Sequence, residues 1–161
     1  MQHPTDIVAQ LGYLTLGTRL KRLAEQLQAG VAETLSDCGH EVQPGQLPVL
    51  IAISETDGPT VADLVNAVGL TQPGISRTLA TLKQAGLVSI RPDKKDARTR
   101  RAYLTAKSTA LMDRLRNEVF GKVAAAAAEL CDGLDILDAL AVMERRNREQ
   151  PFIQRIRKAR S

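Results

Sequence analysis

The sequence predicts a mostly α fold with one small β-hairpin, and three observations lead there. Apolar residues recur at three- and four-residue spacing along most of the chain, the period of an amphipathic helix. Aromatic residues make up only 2% of the sequence, a balance that favours helix over sheet. One β-prone run, Leu87-Val88-Ser89-Ile90, is followed by a charged turn and a second extended stretch from Arg100 to Leu104, the layout of a hairpin. At 161 residues the chain suits one compact domain and is too short for two ordinary ones plus a linker. A single domain over 1–161 is therefore expected.

The elements follow in order. Leu16, Leu20, Leu23, Leu27 and Val31, led in by Ile7 and Leu11, form the stripe of a long first helix. It should stop near Asp37, where Gly39 can adopt the left-handed cap. Gly30 is expected to interrupt it. A second helix from about Pro44 to Glu55 takes apolar contacts from Leu47, Leu50, Ile51 and Ile53, with a bent or loosened start because Pro48 lacks a backbone donor. Gln43 stands where a small polar cap is usual. Asp57-Gly58-Pro59 reads as a turn, and Thr60 with Asp63 has the spacing of a capping box opening a short third helix closed by Gly69. Thr71 then caps a helix with Pro73 in its first turn, Ile75, Leu79 and Leu82 on one face, and Gly86 as its stop.

Two short helices joined through Gly69-Leu70-Thr71 make a helix-turn-helix candidate, although any small bundle has short helices joined by glycine. The hairpin directly after the pair, with its charged tip, separates the two readings in favour of a winged helix-turn-helix over about 43–105. Thr105 caps a long helix running to about Leu130. A last helix carries Leu134, Leu137, Leu140 and Ala141, and Phe152, Ile153 and Ile156 lie in a final basic segment.

The net charge is +4, and its distribution says more than its sum. Arg91 to Arg101 contains six Lys or Arg against two Asp, and Glu144 to Ser161 seven against two Glu. These local charges of +4 and +5 leave about −5 elsewhere, a concentration that fits a polyanionic partner. No apolar run reaches the roughly 18 residues of a membrane span, and the first residues lack a secretion-signal layout, so a cytoplasmic protein is expected. Cys38 and Cys131 have no metal-ligand or disulfide spacing; they read as ordinary residues, with a redox switch at Cys38 a lesser alternative. His3 and His40 are isolated, and no nucleophile, base and orienter come together. Neither an enzyme, a metal nor a cofactor is expected.

The wing segment Asp96-Ala97-Arg98-Thr99-Arg100-Arg101-Ala102-Tyr103-Leu104-Thr105 resembles the D-x-R and L-T pattern of the multiple antibiotic resistance regulator (MarR) family of winged-helix repressors. Gly86-Leu87-Val88, the Thr71-Gln72-Pro73-Gly74-Ile75-Ser76-Arg77 opening and Val61-Ala62-Asp63-Leu64 support it. The resemblance implies a homodimer on double-stranded DNA, with helices over about 1–40 and 106–161 forming the dimer. It also implies a small-molecule effector site between those helices and the winged region, where Tyr13 is a candidate liner but more simply a packing residue.

Burial of Ile75, Leu79 and Leu82 turns Pro73, Arg77, Ala80 and Gln84 outward at 100° per residue. Thr71, Gln72, Gly74 and Ser76 lie at the helix pole that favours phosphate. Arg77 is the best base reader, since a guanidinium donates two hydrogen bonds to a guanine edge, and Gln72 suits an adenine edge or a phosphate. The resemblance sends Arg98 into the minor groove, where negative potential concentrates, with Lys94 and Lys95 on phosphates. Asp96 reads as a brace for Arg98 or nearby backbone. Two such units roughly 34 Å apart would read an inverted repeat, as in a ligand-responsive repressor. The alternative is an architectural or protein-interaction module without sequence readout.

Overall fold

The computed structural model describes residues 6–96 and 98–159; Ala97 of the wing motif and Arg160 of the basic tail lie outside them. Packing divides the chain into two compact units between Gly121 and Lys122.

The first unit opens with α1 (Ile7–Gln10), whose Asp6 cap accepts the Ala9 backbone N–H at 3.1 Å. Gly12 then adopts φ +55°, a left-handed conformation that no right-handed helix accommodates. The long first helix is accordingly divided there, and a 3₁₀ turn at Gly12–Thr15 precedes α2 (Leu16–Asp37). Gly30 does not interrupt α2. A mid-helix glycine costs only about 1 kcal/mol against alanine, and the Thr34 hydroxyl donates back to the Gly30 carbonyl at 2.9 Å. Gly39, at φ +72°, lies just past the end of α2.

The second predicted helix divides in the same manner. Pro44–Gln46 forms a 3₁₀ turn and α3 (Leu47–Glu55) follows. Pro48 falls in the first turn of α3, where its missing donor had no intrahelical partner to lose, so the loosened start is taken up by the 3₁₀ turn. Gln43 is no defect as a cap position, since its backbone N–H donates to Gln46 Oε1 at 2.9 Å. Ile51 is exposed, lying beyond the arc spanned by Leu47, Val49, Leu50 and Ile53, all buried.

The capping box of α4 (Val61–Val68) is complete: Asp63 N–H donates to Thr60 Oγ1 at 3.2 Å and Thr60 N–H to Asp63 Oδ2 at 2.9 Å. Gly69 ends α4 in the left-handed region. Thr71 caps α5 (Gln72–Gln84), accepting the Gly74 N–H at 3.3 Å. The chain then enters β1 (Val88–Pro92), paired antiparallel with β2 (Arg100–Leu104) so that Ser89 faces Tyr103 and Ile90 faces Ala102. Thr105 caps α6 (Ala106–Leu115). A π-helical turn at Arg116–Phe120 follows and leads directly into the helix at Gly121–Leu130, so the chain is helical to Leu130 as predicted, with one wider turn within it.

Leu35, Leu50, Leu64, Ile75, Leu82, Met112, Leu115 and Val119 form the centre of this unit, joined by Val88 and Ala102 from the hairpin. Each large aliphatic side chain so buried contributes about 1.5–3 kcal/mol. No aromatic residue belongs to this core: Tyr103 and Phe120 are half-buried and Tyr13 and Phe152 exposed. Tyr13 is 92% exposed, so the packing role expected for it is not filled among the described residues.

In the second unit, α7 (Gly121–Leu130), α8 (Ile136–Glu149) and α9 (Phe152–Lys158) contain no buried residue. Leu134 belongs to the turn before α8 and not to the helix, since Gly133 at φ +72° holds a left-handed turn there. The tail is a separate short helix tied to its predecessor: Asn147 Oδ1 accepts the Phe152 N–H, and Arg155 donates to the Gln150 and Arg146 carbonyls. Among the described residues no helix is long and apolar enough to cross a membrane.

The turn between α3 and α4 fixes where the hairpin sits. Gly58 there has φ +62°, and a Cβ on it would clash with the Tyr103 hydroxyl and the ring edge beside it. Gly58→Ala combines left-handed strain with overpacking and is expected to lower unfolding stability by about 2–4 kcal/mol. Urea denaturation checks this, and a loss below about 0.5 kcal/mol, the range of ordinary surface changes, contradicts it.

Candidate nucleic-acid interface

In α5, burial of Ile75, Leu79 and Leu82 exposes Thr71, Gln72, Pro73, Ser76, Arg77, Ala80 and Gln84, with Gly74 half-buried. The outward face is the one predicted. Its donor set is leaner than the sequence implied, because Pro73 has no N–H and the Gly74 N–H is engaged by Thr71 Oγ1 at 3.3 Å. Thr71 retains its hydroxyl proton for donation. The Gly74 position is also tight, since a Cβ would lie 3.2 Å from Thr71 Oγ1.

The hairpin tip is organised by two aspartates. Asp96 accepts the Arg98 backbone N–H on Oδ1 and the Thr99 hydroxyl on Oδ2, both at 3.0 Å. It thus braces the backbone under Arg98, one of the two roles predicted for it. Asp93 went unrecognised. Its Oδ1 accepts the backbone N–H groups of Lys95 at 2.7 Å and Asp96 at 3.1 Å, and its Oδ2 pairs with Arg101 Nε. Arg101 Nη1 donates in turn to the Gly58 carbonyl at 2.7 Å. An aspartate following proline at a hairpin tip is a recognisable side-chain turn signal, but nothing local pointed Arg101 at a carbonyl 43 residues away.

Lys94, Lys95, Arg98 and Arg100 are exposed and make no ion pair among the described residues. Arg91 lies over the Tyr103 ring, 5.1 Å from its centroid, where the π face attracts a cation. The result is a hydrogen-bonded turn that presents four cations without ion-pair partners among the described residues. Cys38 and Cys131 are unpaired and half-buried. Among the described residues no three His, Cys, Asp or Glu side chains converge as a metal-binding group.

Arg101 and the two backbone donors hold the Asp93 carboxyl down at about 2. The Asp63 carboxyl is lowered as well, by the backbone and hydroxyl donors of Thr60. Because the folded value for Asp93 lies below the ordinary 3.8, its stabilisation is fully present above that value and is lost as pH falls through about 2. A carboxyl NMR titration should therefore give Asp93 an inflection well below that of a solvated aspartate, and an inflection near 3.8 contradicts the arrangement.

Residues 40–99 match a family model described as MarR family. No curated protein sequence matches the chain. Solved structures resemble it over most of its length. A cysteine-to-serine mutant of MarR from E. coli in complex with operator DNA aligns at TM-score 0.67 and 19% identity, covering 91% of this chain and 100% of that one. CouR, a transcriptional repressor bound to a 23-mer DNA duplex, aligns at TM-score 0.65 and 25% identity, covering 83% and 93%. BpsR of Bordetella bronchiseptica, whose DNA binding is regulated by 6-hydroxynicotinic acid, aligns at TM-score 0.63 and 19% identity, covering 90% and 94%. The helix pair and β1 thus lie within the segment that is similar to the MarR family model, and with β2 they have the fold of a winged helix-turn-helix.

Proposed function

We propose that the chain is a homodimeric transcriptional regulator that binds a short inverted repeat in double-stranded DNA and represses until a small molecule releases it. The observation that carries this reading is the wing: four exposed cations without carboxylate partners, on a hydrogen-bonded turn directly after α5. Arg98, on its braced backbone, enters the minor groove, and Lys94 and Lys95 meet phosphates. Thr71, Gln72, Pro73, Gly74, Ser76 and Arg77 approach the major groove, with Arg77 reading a base edge. Asp96 acts through Arg98 and not on the duplex.

Dimerisation is supported by apolar surface that the protomer leaves uncovered. Leu20, Leu23 and Leu27 of α2 are 40%, 47% and 45% exposed, and Leu137, Phe152 and Ile156 of the second unit are 79%, 66% and 54% exposed. Exposed apolar area on this scale marks an interface. A small-molecule effector is supported by a cavity of about 450 Å³ in the first unit, with Val42, Leu87 and Leu111 as apolar wall and Lys107 and Arg114 as cations. It also touches Thr81 and Ala85 at the C-terminal end of α5, so an occupant would bear on the reading helix directly.

Mobility-shift titration on a duplex selected from a random pool tests the assignment. Arg77→Ala is expected to weaken binding to that duplex by about 1–3 kcal/mol and to relax preference at one base position. Lys94→Ala should weaken specific and non-specific duplexes alike and reduce the salt slope by about 1. Failure of the wild type to prefer any duplex contradicts the regulator reading and favours an architectural or protein-interaction role.

A further inference from the structure

Of the six cations between Arg91 and Arg101, Arg101 alone has a carboxylate partner among the described residues. Its side chain is 34% exposed and that of Asp93 14% exposed, whereas the tip lysines are exposed. The guanidinium spans two acceptors in different directions, Asp93 at the wing tip through Nε and the Gly58 carbonyl between α3 and α4 through Nη1. The β2 backbone is tied at the same place: Thr60 bridges to Arg101, and Ala102 N–H donates to the Pro59 carbonyl at 3.0 Å. The wing is therefore held to the helical body at its base by backbone and at its tip by one arginine.

We propose that Asp93 is a specificity-determining positioning residue, which withholds Arg101 from duplex phosphates and uses it to hold the wing at a fixed angle to α5. A cation inside a basic wing would otherwise contact any phosphate in reach and add affinity that is blind to sequence. Engaged by Asp93, Arg101 adds none, and the wing meets the minor groove in one register. A fork-shaped guanidinium can serve both acceptors where a lysine ammonium reaches only one. This inference rests on the DNA-binding reading for its consequence, but not for the latch itself.

Asp93→Asn separates the two jobs of the carboxylate. The amide oxygen still accepts from Lys95 and Asp96, whereas an amide nitrogen turned toward Arg101 opposes one donor with another. The experiment compares wild type, Asp93→Asn, Arg101→Gln, Arg101→Lys and the Asp93→Asn/Arg101→Gln double variant, each checked for helix content. Each is titrated with salt on the selected duplex and on an unrelated duplex of equal length.

Asp93→Asn should lower the specific-to-non-specific ratio by roughly tenfold and steepen the salt slope by about 1, as one more cation reaches phosphate. Arg101→Gln should lower the ratio without steepening the slope, Arg101→Lys should lower it with the charge retained, and the double variant should match Arg101→Gln. A ratio within twofold of wild type in Asp93→Asn overturns the proposal, as does a double variant in which the two losses simply add. Without DNA, the Arg101 Nε–H should exchange slowly in wild type and fast in Asp93→Asn, and fast exchange in wild type removes the latch. Should wild type select no duplex, the regulator reading fails while this exchange measurement still decides the latch.

Discussion

The first unit depends on one constraint: a small core without Phe, Tyr or Trp must hold five helices, α2 to α6, and a hairpin in fixed relation. Leu50 of α3, Leu64 of α4, Ile75 and Leu82 of α5 and Leu115 of α6 are all fully buried. With no large aromatic ring to span the centre, each element is kept in place by short side chains in close contact, and core interiors of this kind respond to changes of a single methylene. Orientation then comes from the ends of the elements. Thr60, Thr71 and Thr105 cap α4, α5 and α6, and Gly58, Gly69 and Gly86 take the left-handed turns between them.

That arrangement decides which groups the proposed reading surface presents. The core decides which face of α5 is outward, and the Thr71 cap decides which backbone donors remain at its pole. The hairpin is carried on the same core through Val88 and Ala102, and two aspartates stiffen its tip. Charge at the wing is thereby sorted, with Arg101 and Asp93 serving the architecture and Lys94, Lys95, Arg98 and Arg100 left to solvent. A count of basic residues would have treated all of them alike.

Much of this was legible in the amino-acid order. The Thr60-Asp63 box, the Thr71 cap, the buried face of α5 and the hairpin all follow from spacing and turn chemistry, because each is decided within a few residues. The misses have a common cause in the reverse situation. Gly12 and Gly30 are the same residue in similar apolar patterns, yet only Gly12 takes a positive φ and breaks the helix. Ile51 reads as core until the 3₁₀ turn before α3 sets the phase of the helix. Asp93 and Arg101 looked like two more charges in a run, since the carbonyl that gives Arg101 its role belongs to the turn at Gly58. Within the candidate site the exposed residues of α5 were foreseeable, and the internal bonding of the wing was not.

Two reading heads, each placing α5 in a major groove and the wing in the neighbouring minor groove, form the central claim. Hydroxyl-radical footprinting on the selected duplex tests it most directly. The account predicts two symmetric sets of protection with centres about 34 Å apart, each flanked on its outer side by minor-groove protection. A single set, or protection confined to phosphates facing one groove, would contradict it.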